Sequence, residues 1–141
     1  RKSILPISTL ITPNIPEAEI LTNRKISNPS SASEAAKDLL RLGPEAVLMK
    51  GGHLNSNKIV DQLFIDEEKF VFENERINTR HTHGTGCSLA SACATGIAQG
   101  LKIEDAVKKA ITYLLEAIRT APGYGSGHGP VNHGHTFLER C

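Results

Sequence analysis

The sequence predicts an α/β fold in which helices cover a mostly parallel sheet and a hairpin lies at the sheet edge. Along the chain the predicted order is strand, helix, strand, hairpin and two helices. The apolar run Ala46–Met49 lacks alternation, which is typical of a strand covered on both faces. Two further strands are predicted at 59–65 and 69–75, and the acidic turn Asp66-Glu67-Glu68 joins them as an edge hairpin.

In the first half of the chain, Leu10-Ile11-Thr12 is predicted to be a strand, because Pro13 ends this short apolar run. A helix is predicted from Ser31 to Leu42, where alanines and leucines form one apolar stripe. Ser33 is the expected N-cap, since its hydroxyl can accept a hydrogen bond from the first turn. Gly43-Pro44 then ends the helix.

In the second half, a loop at 76–86 leads into a helix predicted from Cys87 to about Gln99. A second helix is predicted from Ile103 to Arg119, because apolar residues recur there every four positions. The segment Pro122–His135 is rich in Gly and His and is predicted to be loop.

Size and composition exclude several classes of protein. The chain has 141 residues, enough for one domain, and its 16 basic and 15 acidic residues form no basic stripe that would indicate nucleic-acid binding. No apolar run reaches the ~18 residues of a membrane span. The three cysteines Cys87, Cys93 and Cys141 make neither a disulfide framework nor a metal knuckle, which favours a reducing, cytoplasmic setting. Because the sequence opens at Arg1, we expect it to be part of a longer chain.

The strongest chemical signal is His83-Gly84-Thr85-Gly86-Cys87-Ser88, which precedes a helix of small residues. Glycines let backbone N–H groups turn towards one point, and the helix dipole adds positive potential there. This pattern predicts an anion cradle. An ordinary glycine-rich turn that starts a helix is the equally weighted alternative.

Cys87 is placed at the start of that helix, where cysteines tend to be reactive, although a bound polyphosphate would oppose the thiolate. The alternative for Cys87 is a small buried hydrophobe. Cys93 and Cys141 are interpreted in this second way.

A lysine follows the strand Ala46–Met49, in the stretch Lys50-Gly51-Gly52-His53. Ligands of open α/β sheets bind beyond the carboxyl ends of strands, so Lys50 could reach a phosphate there. A lysine in a turn without any further role is the alternative.

Asn14 and Glu17 follow the first strand, and Pro16 suits the first turn of a short helix. An amide and a carboxylate are ligands for a hard cation that keeps most of its waters, as Mg²⁺ does beside ATP. The competing interpretation is a helix cap at Asn14 with an acid in the first turn.

Six histidines raise the question of zinc. The pairs His81-x-His83 and His133-x-His135 are two residues apart and would point to opposite sides of a strand, and His128 does not complete a usual spacing. Surface or loop histidines are therefore preferred to a zinc site.

Three motifs occur in a family-like order: Thr12 to Glu19, Met49 to His53, and Thr82 to Ala92. Together they resemble the hydroxymethylpyrimidine phosphate kinase family of thiamine biosynthesis, in the ribokinase-like superfamily. The ending Gly127-x-Gly129-Pro130-Val131-x-His133 resembles the end of that kinase domain. The likeness runs from about Leu10 to His133 and covers the C-terminal half of such a kinase.

The resemblance implies a three-layer fold, with residues 1–141 as a partial kinase domain ending in a Gly/His-rich tail at 122–141. It implies ATP and Mg²⁺ as cofactors, and transfer of the γ-phosphoryl group to hydroxymethylpyrimidine or its monophosphate. It also implies roles for particular residues: an anion hole of Gly84, Thr85, Gly86 and Cys87, charge neutralisation by Lys50, and Mg²⁺ held through water by Glu17 and Asn14. Cys87 stands where most ribokinase-like enzymes have an aspartate base.

Three other functions remain open from the sequence. Pyridoxal kinases of the same superfamily share the Gly-Thr-Gly-Cys loop, so they are the first alternative. A cysteine hydrolase using Cys87 and His83, or a metal-binding module, is a weaker one. A small-molecule pyrimidine is the expected partner, with neither nucleic acid nor membrane. A homo-oligomer is expected too, since a fragment of this kind would expose a sheet edge.

Overall fold

The computed structural model describes residues 3–51 and 57–138. The chain divides into a first unit, Arg1–Arg76, and a second unit, Ile77–Cys141. The first unit holds the sheet and two α-helices, and the second holds three α-helices. The predicted α/β class is therefore confirmed.

The sheet has four strands in the order β1 (Leu10–Ile11), β2 (Ala46–Met49), β3 (Lys58–Ile65) and β4 (Glu68–Glu75). β1 and β2 are parallel, whereas β2–β3 and β3–β4 are antiparallel. The prediction of a mostly parallel sheet is therefore wrong for this part of the chain. Parallel neighbours need a crossover of a dozen or more residues, and among the residues described here only the β1–β2 connection contains helices.

The predicted edge hairpin is confirmed. Ile65 pairs with Glu68, so Asp66 and Glu67 form a two-residue turn, and β4 is the outer strand of the sheet. Asp66 has φ 51°, a left-handed conformation that aspartate tolerates better than most residues.

The core of the first unit lies around β2, whose four residues are all buried, as the unbroken apolar run predicts. α1 (Ile15–Thr22) and α2 (Pro29–Leu40) supply most of the other buried side chains. α2 contributes three small residues and one large one: Ala32, Ala35, Ala36 and Leu39. Burying a leucine such as Leu39 contributes about 1.5–3 kcal/mol.

The predicted N-cap of α2 is wrong. Asn28 caps the helix: its side chain accepts from the Ser31 N–H, and the Ser31 hydroxyl accepts from the Asn28 N–H. Pro29, with its fixed φ, then opens the first turn. Ser33 lies inside the helix, where its hydroxyl donates to the Pro29 carbonyl. Ser33 Oγ also lies 3.0 Å from Gln62 Oε1.

The second unit consists of α3 (Thr85–Ala98), α4 (Ile103–Arg119) and the short α5 (His135–Leu138). α4 has the predicted bounds, while α3 begins two residues before the predicted start. α3 and α4 pack closely at Gly96, because glycine has no side chain to hold them apart. A Cβ added there would lie only 2.9 Å from the Ala106 Cβ. No helix in the described ranges is both long enough and apolar enough to span a membrane.

Candidate anion-binding site

The N-terminus of α3 is built around Gly84, its N-cap residue. Gly84 has φ +85°, and a Cβ placed there would meet no atom within 4 Å. No side chain caps this end, and within residues 3–51 and 57–138 the N–H groups of Gly86 and Cys87 have no protein acceptor. Open amides, the dipole of a 14-residue helix and free space in front of it suit an anion.

The two glycines of this loop have different conformations. Gly84 takes a left-handed conformation that glycine adopts without strain, whereas Gly86 lies in the first turn of α3. The conformational freedom of glycine is therefore used at Gly84, whereas the backbone of Gly86 is helical. The loop residues 84–87 occupy the N-cap and the first three positions of the helix.

Cys87 is exposed, so its interpretation as a buried hydrophobe is wrong. It lines a cavity of about 520 Å³ between α3 and α4, together with Ser88, Tyr113 and His133. Cys93 is 1% exposed, and burial raises the pKa of its thiol to about 11, so the small-hydrophobe interpretation is confirmed there. Cys141 lies outside the described residues.

Three polar side chains beside Cys87 form a chain that the sequence did not predict. The Ser88 hydroxyl donates to the Gly84 carbonyl at 2.8 Å. Ser88 Oγ also lies 3.4 Å from His133 Nε2, and His133 Nδ1 lies 2.8 Å from the Tyr113 hydroxyl. His133 was visible in the sequence as part of the tail motif, but nothing in the sequence paired it with Ser88.

In the first unit, the structure brings Asn14 and Lys50 together at the carboxyl ends of β1 and β2. Asn14 and Lys50 form a parallel bridge, and the Lys50 N–H donates to the Pro13 carbonyl at 3.0 Å. This is the strand end at which ligands of open sheets bind. Gly52 and His53 of the predicted lysine motif lie outside the described residues.

Asn14 and Glu17 form a capping box at the start of α1. Asn14 Oδ1 accepts from the Glu17 N–H at 2.8 Å, and Glu17 Oε2 accepts from the Asn14 N–H at 2.7 Å. The structure therefore shows the helix-cap role that the sequence offered as the alternative. Both groups are oxygen donors beside Lys50, so the donor set still fits a hydrated Mg²⁺.

Asp61 on β3 holds the residue that follows Lys50. Its Oδ1 accepts from the Gly51 N–H at 2.8 Å, and its side chain is 8% exposed. Burial raises the pKa of Asp61, while the Gly51 hydrogen bond and the charge of Lys50 oppose that rise. A Cβ on Gly51 would overlap the Val60 carbonyl oxygen, so only glycine fits. The sequence signal was a lone aspartate inside an apolar strand.

The histidines do not converge on a metal site in the described part of the chain, where no three His, Cys, Asp or Glu side chains are close enough to hold an ion. His128 Nδ1 lies 3.0 Å from the Arg80 carbonyl, and His135 packs against Tyr113.

The phosphomethylpyrimidine kinase family model matches residues 1–132. The chain belongs to this family. The resemblance read from the motifs is thereby confirmed.

Two curated relatives each match 94% of this chain. The hydroxymethylpyrimidine/phosphomethylpyrimidine kinase of Bacillus subtilis is 40% identical over 94% of this chain and 49% of its own length. The thiamine biosynthesis bifunctional protein of Geobacter sulfurreducens is 49% identical over 94% of this chain and 27% of its own length. This member of the phosphomethylpyrimidine kinase family thus spans about half the length of the Bacillus enzyme.

A solved structure shows that the fold extends beyond this family. The pyridoxal kinase of Bacillus subtilis, in complex with ADP, superposes with a TM-score of 0.90 and 32% identity. The match covers 97% of this chain and 54% of that one. This phosphomethylpyrimidine kinase family chain therefore has the fold of half a ribokinase-like kinase.

Proposed function

We propose that residues 1–141 form the C-terminal half of a hydroxymethylpyrimidine/phosphomethylpyrimidine kinase, with the Gly/His-rich tail at 122–141. In this proposal the enzyme transfers the γ-phosphoryl group of ATP to the hydroxymethyl oxygen of the pyrimidine or to the phosphate of its monophosphate. The observation that carries the proposal is the open N-terminus of α3, with exposed Cys87 in its first turn. Family membership and the name of the Bacillus relative support the substrate class.

The anion hole would act on the charge of the transferred group. Phosphoryl transfer needs positioning and electrostatic stabilisation more than covalent help. The amides at Gly84, Thr85, Gly86 and Cys87 would face the terminal phosphates, with the α3 dipole behind them. Cys87 would either accept the proton of the substrate hydroxyl as a thiolate, becoming a thiol, or align the hydroxyl oxygen for attack.

Lys50 and the capping box would act on phosphate charge at the strand ends of the first unit. Lys50 would neutralise charge on the transferred group as a mobile point charge. Glu17 and Asn14 would hold Mg²⁺ through its waters, and Glu17 Oε1 is the oxygen not used in the capping box. When bound, Mg²⁺ would neutralise negative charge on the phosphates.

Pyridoxal kinase is the second candidate, because the pyridoxal kinase structure is so similar to this chain. ATP-dependent phosphorylation should be measured in the full-length protein with hydroxymethylpyrimidine, its monophosphate and pyridoxal. We expect kcat/KM to be highest for a pyrimidine. A higher kcat/KM for pyridoxal would replace the first proposal by the second, and no phosphorylation of any of the three would reject both.

Substitutions in the full-length protein test the residue roles. Lys50→Ala and Cys87→Ala should each lower kcat/KM by at least ~10-fold with folding intact. Lys25→Ala is the matched control, because Lys25 is an 89% exposed lysine of the first unit. Cys87→Ser separates the two thiol roles: it should retain most activity if Cys87 only aligns the oxygen, and lose it if Cys87 is the base. Near-normal turnover in both alanine variants would refute the assigned roles.

A further inference from the structure

The tail segment 129–133 contacts the anion loop at both of its ends. Before the loop, the His83 N–H donates to the Gly129 carbonyl at 3.2 Å, and His83 bridges to Pro130. After the loop, His133 reaches Ser88. The glycine-rich tail is thus joined to the two residues that flank positions 84–87.

The same segment is anchored to α4. The Asn132 N–H donates to the Ala117 carbonyl at 2.8 Å, and the Asn132 amide donates to Thr120 Oγ1 at 3.2 Å. Val131, the residue before Asn132, is only 4% exposed. His133 is therefore held on a fixed backbone, although its ring is exposed.

The hydrogen-bond directions around His133 follow from chemistry. A carbonyl can only accept, so the Ser88 hydroxyl hydrogen points to the Gly84 oxygen. Ser88 Oγ then accepts from His133 Nε2–H, which leaves Nδ1 to accept from the Tyr113 hydroxyl. One neutral tautomer satisfies the whole chain, from Tyr113 through His133 and Ser88 to Gly84.

This series of hydrogen bonds ends at the Gly84–Thr85 peptide, which begins the proposed anion hole. The Gly84 carbonyl receives both the Ser88 hydroxyl at 2.8 Å and the Ser88 N–H at 2.9 Å. The carbonyl and the following N–H share one rigid peptide plane, so fixing the Gly84 oxygen also holds the Thr85 N–H towards the Thr82 carbonyl, 3.4 Å away. The next two N–H groups, those of Gly86 and Cys87, are thereby placed at the open end of α3. Gly84 has no side chain of its own that could fix the orientation of this peptide.

We propose that His133 is a positioning residue: through Ser88 it sets the orientation of the Gly84–Thr85 peptide and so the phosphate affinity of the loop. The inference rests on the proposed nucleotide-binding function. It also assigns a role to the His-rich tail. In this proposal His133 acts on ATP binding through Ser88 and not through a contact with the pyrimidine.

The test compares variants of the full-length protein by ADP affinity in calorimetry and by KM values for ATP and pyrimidine. We expect His133→Ala to weaken ADP binding and raise the KM for ATP by ~3- to 10-fold, the contribution of a hydrogen bond or two. The pyrimidine KM should stay within about twofold. His133→Gln, which restores an N–H near Nε2, should recover part of the affinity. His128→Ala is the control, because His128 contacts the Arg80 carbonyl and not the anion loop.

Two further variants keep the test decisive. Ser88→Ala combined with His133→Ala should weaken ADP binding no more than Ser88→Ala alone, because His133 acts on the loop only through the Ser88 hydroxyl. Tyr113→Phe removes only the hydroxyl and should weaken binding in the same direction even if His133→Ala does not fold. The inference would be overturned if the losses of ADP affinity from Ser88→Ala and His133→Ala were additive. It would also be overturned if folded His133→Ala and Tyr113→Phe bound ADP with wild-type affinity. A wild-type protein that binds no ADP would overturn the proposed function as well.

Discussion

Asp61 on β3 accepts a hydrogen bond at 2.8 Å from the backbone N–H of Gly51, which follows Lys50 at the end of the neighbouring strand β2. The aspartate is buried and its partner is a backbone amide, so its ionisation is coupled to folding. Burial is the largest influence on this carboxyl and raises its pKa above 3.8.

Asp61 should therefore make the protein less stable as pH rises. Between 3.8 and the raised pKa, the folded state holds more protons than the unfolded state, so the free energy of unfolding falls with increasing pH. Asp61→Asn keeps an oxygen for the Gly51 N–H but removes the charge, and it should flatten this part of the profile. Urea unfolding at a series of pH values above 3.8 measures it. Asp66→Asn, in the exposed turn of the same hairpin, is the control. An unchanged profile in Asp61→Asn would contradict the assignment.

Gly84 and Gly100 provide a matched pair for the anion hole. Both have φ +85°, and a Cβ at either would meet nothing within 4 Å. Alanine at each position should therefore cost about 1–2 kcal/mol of stability through backbone strain alone. Only Gly84→Ala should also lower ADP affinity, by at least ~10-fold, because it disturbs the amides that are proposed to face the phosphate. Calorimetry on both variants measures the difference; equal ADP affinities would argue against an anion site at α3.

Gly96 and Ala106 should be energetically coupled across the α3–α4 contact. Gly96→Ala would place a methyl group 2.9 Å from the Ala106 Cβ and should cost about 1–3 kcal/mol, despite the better helix propensity of alanine. Ala106→Gly should relieve this overlap, so the double variant should be more stable than the sum of the single effects predicts. A double-mutant cycle by denaturant unfolding measures the coupling. Strict additivity would show that the two helices adjust freely.

Cys87 and Cys93 should differ sharply in alkylation. Cys87 is exposed at the end of α3, whereas Cys93 is 1% exposed and has a pKa of about 11. Iodoacetamide at neutral pH should modify Cys87 in the folded protein and leave Cys93 unmodified until denaturant is added, as peptide mass spectrometry can show. ADP should slow the reaction at Cys87 if phosphates bind at the adjacent amides. Rapid labelling of Cys93 in the native protein would contradict the burial of this thiol.

Features that depend on neighbours along the chain were predictable from the sequence. The helix Ile103–Arg119 has the predicted bounds, because its apolar period and acidic first turn lie within the segment itself. The buried strand Ala46–Met49 and the hairpin turn at Asp66 are also short-range patterns. The Gly-Thr-Gly-Cys motif likewise marks the start of α3, where the anion site is proposed.

Features that depend on partners distant in sequence were decided by the tertiary structure. The strand directions differ from the prediction because they depend on how each connection crosses the sheet. Asp61 meets Gly51 across two strands, and Ser88 meets His133 over 45 residues, so neither pair leaves a periodic signal. The sequence by itself determined the family, most of the local elements and the position of the loop that is proposed to bind phosphate. Only folding decided which side chains support that loop, because such contacts form when long-range packing brings separate segments together.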